Sequence, residues 1–428
     1  MMNVQVCHEL MQSSPQKANL KSNSDNDMRS RMNHRLQLGL WGMEDNDTVF
    51  VCQECLGDPM LKALKTLRTS EVICAACSRS TRNALPPRRI AKFIRRHLPK
   101  HFIIDYDLHP GYALTLAKVV SIAIRCDNLF ACEVIAKEMV NSRASEDDFY
   151  WPGQEYCFAP SPFDSAEHER WWVVGEWDQI AHELCHGRRF FNDNARKFFE
   201  SLIFEALNAQ SAERPGAPAV IKTLPSGTSF YRARIAKDEA EVQFFKTNPA
   251  DELGAPPTEH AKSNRMSAAG VSLLYVSQEI GTCIAEVQPP LRATVVVGQF
   301  SSTSPLTIFD FTTLSDQLKY SPLSLFSPDY QKRSDHRVLL QYLHDEIARP
   351  VKLLDMHYVM TQALAEFIRY NEQQAFDGIS FRSVQHEGGV NFVLFDNSDF
   401  GSVQAPGSRP KFDLKISSDA VTTHSVIK

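Results

Sequence analysis

Two pairs of closely spaced cysteines constrain the N-terminal part of this chain more than any other feature. Cys52 and Cys55 form the first CxxC pair, Cys74 and Cys77 form the second, and 18 residues (56–73) lie between the pairs. Two tight turns at this spacing can bring four thiolates into a tetrahedron, which is the geometry of structural zinc sites. The pattern therefore predicts a structural zinc ion whose four ligands all come from protein. A redox-active CxxC is the alternative interpretation.

The rest of the composition indicates an ordinary globular protein of the cytoplasm. The other six of the ten cysteines are scattered singly along 428 residues, which argues against a disulfide framework and favours a reducing compartment. Hydrophobic residues make up 43% of the chain, enough for two or three domains with real cores. The longest apolar segment, 112–124, contains Lys118 and is too short to span a bilayer, so we expect no membrane partner.

Changes in composition along the chain suggest its domain organisation. The first residues are polar and lack an apolar signal segment, which is typical of disorder. A stretch rich in Ala, Pro, Gly and Ser is the best candidate for a linker. The predicted segments are a disordered leader (1–35), a zinc ribbon with a basic segment (36–101), a mainly helical domain (102–207), a linker (208–227), a C-terminal domain (228–400) and a tail (401–428).

The C-terminal domain mixes strands and helices. Helical patterns at 281–287 and 359–370 interrupt short β-like runs, and the two kinds of element do not alternate strictly. This arrangement predicts an α+β fold and not a doubly wound sheet. In the preceding helical domain, Asp127 is the predicted N-cap of a helix. The predicted strands of the C-terminal domain cover 229–234, 272–276, 293–300, 306–311, 378–381 and 391–395.

A basic segment follows the cysteine pairs. No acidic residue occurs between Val72 and Ile104, whereas eight Lys and Arg residues do. A zinc ribbon beside a basic helix can contact phosphates or nucleic acid weakly through residues 79–100. The alternative is that these charges form a solvated helix face, which is the usual explanation of a run of charges.

Polar residues suited to binding an anionic substrate recur in the C-terminal domain. Arg232 and Arg234 alternate along one predicted strand and therefore share a face. Arg265 precedes the strand that carries Tyr275, and Ser277 is the expected cap of the next helix. Taken singly, each residue also fits an ordinary structural role. The remaining candidates are Glu286 on that helix, Gln362 on the helix at 359–370, Ser383 in a turn and Asn391 at the start of the last strand.

Taken in order, these motifs resemble the RES domain, a toxin family named for an arginine, a glutamate and a serine. The matching text is FYRAR, RMSAAGVSLLYVS, AEV, TQALAEFIR and FDGISFRSVQHEGGVNFVLF, within residues 229–398. The resemblance assigns the three name-giving residues to Arg232, Glu286 and Ser383. It adds Tyr275 as a further catalytic residue. Substrate-binding roles fall to Arg265, Arg234, Gln362 and Asn391. The N-terminal half is similar to the zinc-containing extension of longer members.

The resemblance implies a fold similar to that of ADP-ribosyltransferases, with a split mixed sheet around an NAD cleft. It implies an NAD-degrading enzyme, either a phosphorylase or a glycohydrolase, that acts as a bacterial toxin or defence effector. Chemically, arginines would clamp the pyrophosphate and a carboxylate would stabilise the ribosyl cation left by nicotinamide. One alternative is transfer of ADP-ribose to a macromolecule. Another is a zinc-ribbon regulator that binds nucleic acid and carries an inactive RES-like domain.

The family form also implies a partner. Compact members pair with an antitoxin that plugs the cleft, and here the N-terminal domains are candidates for the same role in cis. Two insertions, at 235–260 and 312–357, distinguish this chain from the compact form. Their expected role is a lid or an inhibitor surface.

Overall fold

The computed structural model describes residues 49–66, 70–106, 113–160, 165–211, 216–348, 358–396 and 410–426. The predicted leader (1–35) lies outside these residues. Within them, no helix is both long and apolar enough to cross a membrane. Contacts divide the chain into a first unit, Met1–Ala166 with Leu323–Gln331, and a second unit, Glu167–Pro322 with Lys332–Lys428.

The described part of the first unit contains short strands and four helices. β1 pairs with β4, β2 pairs with β3, and β5, β7 and β6 form a three-stranded sheet in that order. The strands are β1 (Val51–Cys52), β2 (Val72–Ile73), β3 (Ser80–Thr81), β4 (Ala84–Leu85), β5 (Phe102–Ile104), β6 (Leu114–Thr115) and β7 (Glu155–Phe158). The helices are α1 (Pro59–Lys62), α2 (Pro87–Ile94), α3 (Leu116–Ile124) and α4 (Leu129–Lys137).

Amphipathic helices build the core of this unit. Ile90 and Ile94, four residues apart on α2, are fully buried with Val119 and Ile124 of α3. The expected cap at Asp127 is wrong by one residue. Asn128 caps α4, because its Oδ1 accepts the Ala131 amide at 2.9 Å and so satisfies a backbone donor that the helix leaves free.

The second unit combines a large sheet with seven helices in its described part. The strands are β8 (Gln210–Ser211), β9 (Ile221–Leu224), β10 (Ser229–Ala236), β11 (Leu274–Ser277), β12 (Thr294–Ser302), β13 (Leu306–Asp310), β14 (Leu318–Lys319), β15 (Gly378–Arg382), β16 (Val390–Leu394), β17 (Leu414–Lys415) and β18 (Val421–Ser425). The helices are α5 (Ala166–His186), α6 (Asp193–Asn208), α7 (Glu239–Thr247), α8 (Pro249–Glu252), α9 (Ile280–Glu286), α10 (Tyr330–Ala348) and α11 (Val359–Arg369).

Nine strands form one mixed sheet in the order β17-β12-β10-β11-β16-β15-β13-β9, with β18 also pairing with β12. β13 and β15 run parallel, and the other neighbours are antiparallel. β10 and β11 share a register of one residue pair, Tyr231 with Ser277, whereas β10 pairs with β12 along all eight of its residues. The sheet is therefore nearly divided between β10 and β11, as the expected α+β split-sheet fold requires.

Both faces of the sheet are covered. Val393 and Ile379 pack in a core with α5, α6, α10 and α11. The neighbouring residues Phe392 and Leu394 face the opposite core, which includes Val242 of α7. Successive side chains along a strand point to opposite faces of the sheet. Because a core covers each face, these strands carry apolar residues on both sides.

The boundaries of the second unit differ from the predicted linker and tail. Residues 221–224, inside the expected linker (208–227), form the edge strand β9. Helices α5 and α6 pack on the sheet through residues such as Trp177 and Phe198, so residues 167–207 belong with the C-terminal unit. The prediction of a loose tail at 401–428 is wrong for 414–425, where β17 and β18 pair with β12 and bury Val421.

Candidate functional site

Glu286 sits at the C-terminal end of α9, where two neutral side chains hold its carboxylate. Ser383 Oγ and Asn391 Nδ2 each donate a hydrogen bond of 2.6 Å to Oε1. The apolar side of α9, including Cys283, packs on Ala233 of β10. Helix packing and two charge-assisted hydrogen bonds thus fix an exposed carboxylate beside the place where the sheet is nearly divided, between β10 and β11.

Ser383 occupies the turn between β15 and β16 and has a fixed hydroxyl. Its Oγ accepts the backbone N–H groups of Gln385 at 3.2 Å and His386 at 3.1 Å while it donates to Glu286. Its own N–H donates to the carbonyl of Gly389 at 2.8 Å. Serine side chains commonly close turns in this way, so the turn itself orients the hydroxyl toward Glu286.

Asn391 connects Glu286 to the centre of the sheet. It lies opposite Ser277 in the β11–β16 register and is buried. Its Oδ1 accepts a hydrogen bond of 2.7 Å from Ser277 Oγ, which defines the orientation of the amide that donates to Glu286. The expected role of Ser277 as a helix cap is wrong, because its hydroxyl is engaged here. The helix begins at Ile280, without a side-chain capping bond.

Arg232 is a half-buried cation on β10. Its Nη1 donates to the carbonyl of Gly254 at 2.6 Å. Burial lowers the pKa of the guanidinium to about 9, the charge of Arg234 contributes to this, and Tyr275 acts in the opposite direction. Among the described residues no carboxylate forms an ion pair with Arg232, so its charge is suited to an anionic ligand.

Tyr275 is a structural anchor with a protonated hydroxyl. Burial raises its pKa to about 12, and hydrogen bonding to Ser267 opposes this rise. The hydroxyl accepts the Met266 N–H at 3.1 Å and lies 3.1 Å from Ser267 Oγ. The positive charge of Arg265 also acts to lower the pKa of Tyr275, so the two side chains interact electrostatically. The tyrosine therefore holds the turn that carries Arg265.

Gln362 of α11 holds the same turn from the other side. Its Nε2 lies within hydrogen-bonding distance of Ser263 Oγ at 3.0 Å, the Asn264 carbonyl at 2.7 Å and the Ser267 carbonyl at 3.0 Å. The neighbouring Thr361 donates to the carbonyl of Arg265. The structure thus places Gln362 in contact with the turn, where it orients Arg265.

The two insertions supply backbone contacts to the candidate arginines. Gly254, which accepts from Arg232, belongs to the insertion at 235–260. Arg265 donates to the carbonyl of Ile347, in the insertion at 312–357, and lies over the Tyr358 ring with 5.5 Å to the centroid. These segments therefore help to position the guanidinium groups.

Three residues near Glu286 were not selected from the sequence. Thr282 Oγ1 lies 2.8 Å from Glu279 Oε2 and 2.9 Å from His386 Nδ1. The sequence signal for two of them is spacing: Glu279 directly precedes α9, and Thr282 and Glu286, four residues apart, lie on one side of the helix. Arg232 and Glu286, by contrast, form no hydrogen bond or ion pair with each other within the described residues, and the sheet links their elements through the pairing of Tyr231 with Ser277.

The four cysteines of the first unit form a cluster that could hold a metal ion. All four Sγ atoms lie within 4.8 Å of one another. Cys52 and Cys77 are 3.7 Å apart through their sulfurs, and Cys55 and Cys74 are 3.9 Å apart. A zinc–sulfur bond of about 2.3 Å gives a tetrahedron with edges of about 3.8 Å, so these distances suit such an ion. All four are free thiols, not disulfides.

The basic segment contains arginines that contact neighbouring side chains and further basic residues that are exposed. Arg79 Nε donates to Cys77 Sγ at 3.4 Å, and the Arg95 guanidinium lies 4.2 Å from the centroid of the Tyr150 ring. These two arginines stabilise the fold. Arg88, Arg89 and Lys92 of α2 are exposed, together with Arg96 and Lys100 beyond the helix.

Of the comparisons with known proteins, the one with family models gives a match. No curated protein and no solved structure matches the chain. The model of the RES domain family matches residues 231–416, which include most of β10, all of β11 to β17, and the residues Arg232, Glu286 and Ser383. This match extends past the predicted end of the C-terminal domain at residue 400 and includes β17. Residues 231–416 of this chain are therefore a RES domain.

Proposed function

We propose that this chain cleaves the bond between nicotinamide and ribose in NAD. The observation that carries the proposal is the geometry of Glu286. Ser383 and Asn391 both hold Oε1, and no described residue donates a hydrogen bond to Oε2. A carboxylate fixed by one oxygen can use the other to stabilise the ribosyl cation, or its hydroxyls, as the neutral nicotinamide leaves.

Arg232 supports a ligand with two phosphates. A half-buried guanidinium without a carboxylate partner is energetically costly until an anion reaches it. The pyrophosphate of NAD matches the fork of an arginine, and Arg265 and Arg234 add positive charge in the same domain. In this proposal Tyr275 and Gln362 orient the turn of Arg265.

The acceptor of the ribosyl group can be phosphate or water. Purified protein should be incubated with NAD in the presence and absence of phosphate, and free nicotinamide and the sugar product should be identified. A phosphorylated ADP-ribose that forms only with phosphate would identify a phosphorylase. Plain ADP-ribose would identify a glycohydrolase, and absence of nicotinamide release would contradict both.

We infer that the cysteine cluster binds zinc and stabilises the first unit. Four thiolate donors suit zinc, and they fill its tetrahedral coordination completely. Such a closed site leaves no position for a substrate, so the metal would supply folding energy and no catalytic chemistry.

A second candidate function is transfer of ADP-ribose to a macromolecule. The exposed basic residues of α2, including Arg88, Arg89 and Lys92, favour it because they could recruit an acidic or phosphate-bearing target. Labelled NAD would then leave its label on the macromolecule. A third candidate, a nucleic-acid-binding regulator with an inactive RES domain, predicts nucleic-acid binding without nicotinamide release.

The proposed biological role is that of a bacterial toxin or defence effector in the cytoplasm. Loss of NAD would arrest growth, and an antitoxin, or the N-terminal unit in cis, would hold the activity back. The exposed position of Glu286 supports regulation by a covering partner. Expression of the wild type and Glu286→Gln, with cellular NAD measured in each, would test this role.

A further inference from the structure

His386 ends a row of hydrogen-bonded side chains that lies beside the candidate carboxylate of Glu286. Glu279 Oε2 is 2.8 Å from Thr282 Oγ1, and Thr282 Oγ1 is 2.9 Å from His386 Nδ1. Thr282 is fully buried, whereas Glu279 and His386 are exposed. A buried hydroxyl therefore connects a surface carboxylate to a surface imidazole.

This row determines which nitrogen of His386 carries a proton. A carboxylate accepts hydrogen bonds and donates none, so the single hydroxyl proton of Thr282 points to Glu279. The Thr282 oxygen must then accept from His386, and Nδ1 carries the hydrogen. In the neutral ring Nε2 therefore has the lone pair, and the hydrogen bond made by Nδ1 fixes the orientation of the ring.

One glycine makes room for this arrangement, and a second lies next to the imidazole. A Cβ on Gly389 would lie 2.3 Å from Thr282 Oγ1 and 2.9 Å from His386 Nδ1. A Cβ on Gly281 would lie 3.5 Å from His386 Nε2, which is ordinary contact. Gly389 thus permits the close approach of the turn to α9, and Gly281 lies beneath the free nitrogen of the ring.

The imidazole belongs to the same turn as Ser383. The backbone N–H of His386 donates to Ser383 Oγ, and that hydroxyl donates to Glu286. On α9, Thr282 and Glu286 are four residues apart and face this turn together. The turn is consequently fastened to the helix at two points, one through the carboxylate and one through the imidazole.

We propose that His386 Nε2 orients the oxygen nucleophile that attacks the ribose and accepts its proton. This inference rests on the proposed cleavage of NAD. The bond between the nucleophile oxygen and C1′ forms, the bond between C1′ and the nicotinamide nitrogen breaks, and nicotinamide leaves as a neutral molecule with the bonding electrons. When water attacks, its proton passes to Nε2 and then to solvent. Phosphate attacks through an unprotonated oxygen, so Nε2 then only orients it, by accepting a hydrogen bond from the phosphate hydroxyl. Glu279 and Thr282 are positioning residues that keep the ring in the required tautomer.

Two variants of His386 separate chemistry from structure. His386→Asn retains an N–H donor that can reach Thr282 but has no basic nitrogen, and His386→Ala lacks both. In the absence of phosphate, with water as the acceptor, we expect nicotinamide release by each variant to fall by roughly 10²- to 10⁴-fold in kcat, with KM for NAD changed little. Azide, an anionic nucleophile without a proton to lose, should restore release in both variants and give a ribosyl azide product.

The outcomes are distinct. Wild-type activity in His386→Asn would overturn the role of the imidazole as a base. Loss of activity that azide does not restore, in a variant with unchanged melting temperature, would also overturn it, because the role would then be structural. If the wild type itself releases no nicotinamide, the proposed function fails and this inference fails with it, whereas an active wild type with unaffected variants overturns this inference alone.

Discussion

Ser383 Oγ and Glu286 Oε1 lie 2.6 Å apart, although 97 residues separate them in the sequence. The pairing of β15 with β16 positions Ser383, and the packing of α9 against β10 positions Glu286. Asn391 donates to the same carboxylate oxygen. Glu286, Ser383 and Asn391 thus form one hydrogen-bonded unit, whose properties can be tested residue by residue.

Replacement of Asn391 should show how strongly the carboxylate depends on this unit. Asn391→Asp puts a second carboxylate within 2.6 Å of Glu286, so one of the two must take up a proton. We expect kcat for nicotinamide release to fall by about 10²-fold or more. Ser277→Ala removes the outer hydrogen bond alone and should cost about 1 kcal/mol of stability with a smaller loss of activity. Equal losses in the two variants would contradict this account.

Arg232 should be required for binding but not for stability. Its guanidinium lacks an ion-pair partner among the described residues, and burial disfavours its charge. We therefore expect Arg232→Met to melt at the same temperature as the wild type or higher, and to lose the thermal shift that NAD gives the wild type. Arg232→Lys should retain part of that shift, because it keeps the charge without the fork. Thermal melts with and without NAD measure both effects, and a large loss of stability in Arg232→Met would argue against a ligand-binding role.

The adjacent glycines at 388 and 389 should respond differently to alanine. Gly388 has a φ of +77° with open space around it, so Gly388→Ala should cost about 1 kcal/mol through backbone strain and little activity. Gly389→Ala directs a methyl group into Thr282 and should separate the turn from α9. Nicotinamide release should fall much further for Gly389→Ala than for Gly388→Ala. The reverse order would mean that the approach of His386 to Thr282 has no functional importance.

Helix α10 should depend on one buried carboxylate. Glu205 of α6 is fully buried and accepts from Arg333 and from Arg337, the latter at 2.6 Å. Glu205→Gln leaves two arginines without their counter-charge and should lower the free energy of unfolding by about 3–5 kcal/mol. Glu200→Gln, which removes an exposed pair with Arg196, should change it by less than about 1 kcal/mol. Denaturant titrations of the two variants provide the comparison.

Loss of the proposed zinc ion should lower the stability of the first unit more than the rate of nicotinamide release. Cys74→Ser removes a ligand whose sulfur also accepts two backbone N–H groups, from Cys52 and Ala76 at 3.3 Å each. We expect bound zinc to fall from about one per chain to near zero, with a lower melting temperature. Nicotinamide release per folded molecule should persist. Metal analysis together with the activity assay tests both statements, and zinc-dependent turnover would contradict them.

The sequence predicted local elements well because their signals are local. Six β-like runs correspond to β10 to β13, β15 and β16, and Ile280–Glu286 and Val359–Arg369 are helical as expected. The four cysteines cluster as their spacing predicted. In each case the information lies within a few consecutive residues, as alternating apolar side chains or paired ligands.

The errors arise where distant residues decide the outcome. Ser277 has the composition of a helix cap, but Asn391 binds its hydroxyl from another strand. The polar residues 414–425 lack a strong strand pattern, and their pairing with β12 determines their structure. His386 looks like a turn residue until the fold brings Thr282 to it. Such long-range pairings carry no signal in a single sequence.

The central claim is most directly tested by comparing nicotinamide release from NAD by the wild type, Glu286→Gln and Glu372→Gln. Glu372 is an exposed glutamate in the same unit and serves as a matched control. The account predicts release by the wild type and Glu372→Gln and a loss of about 10³-fold or more in Glu286→Gln. No release by the wild type, or equal release by all three proteins, would contradict it.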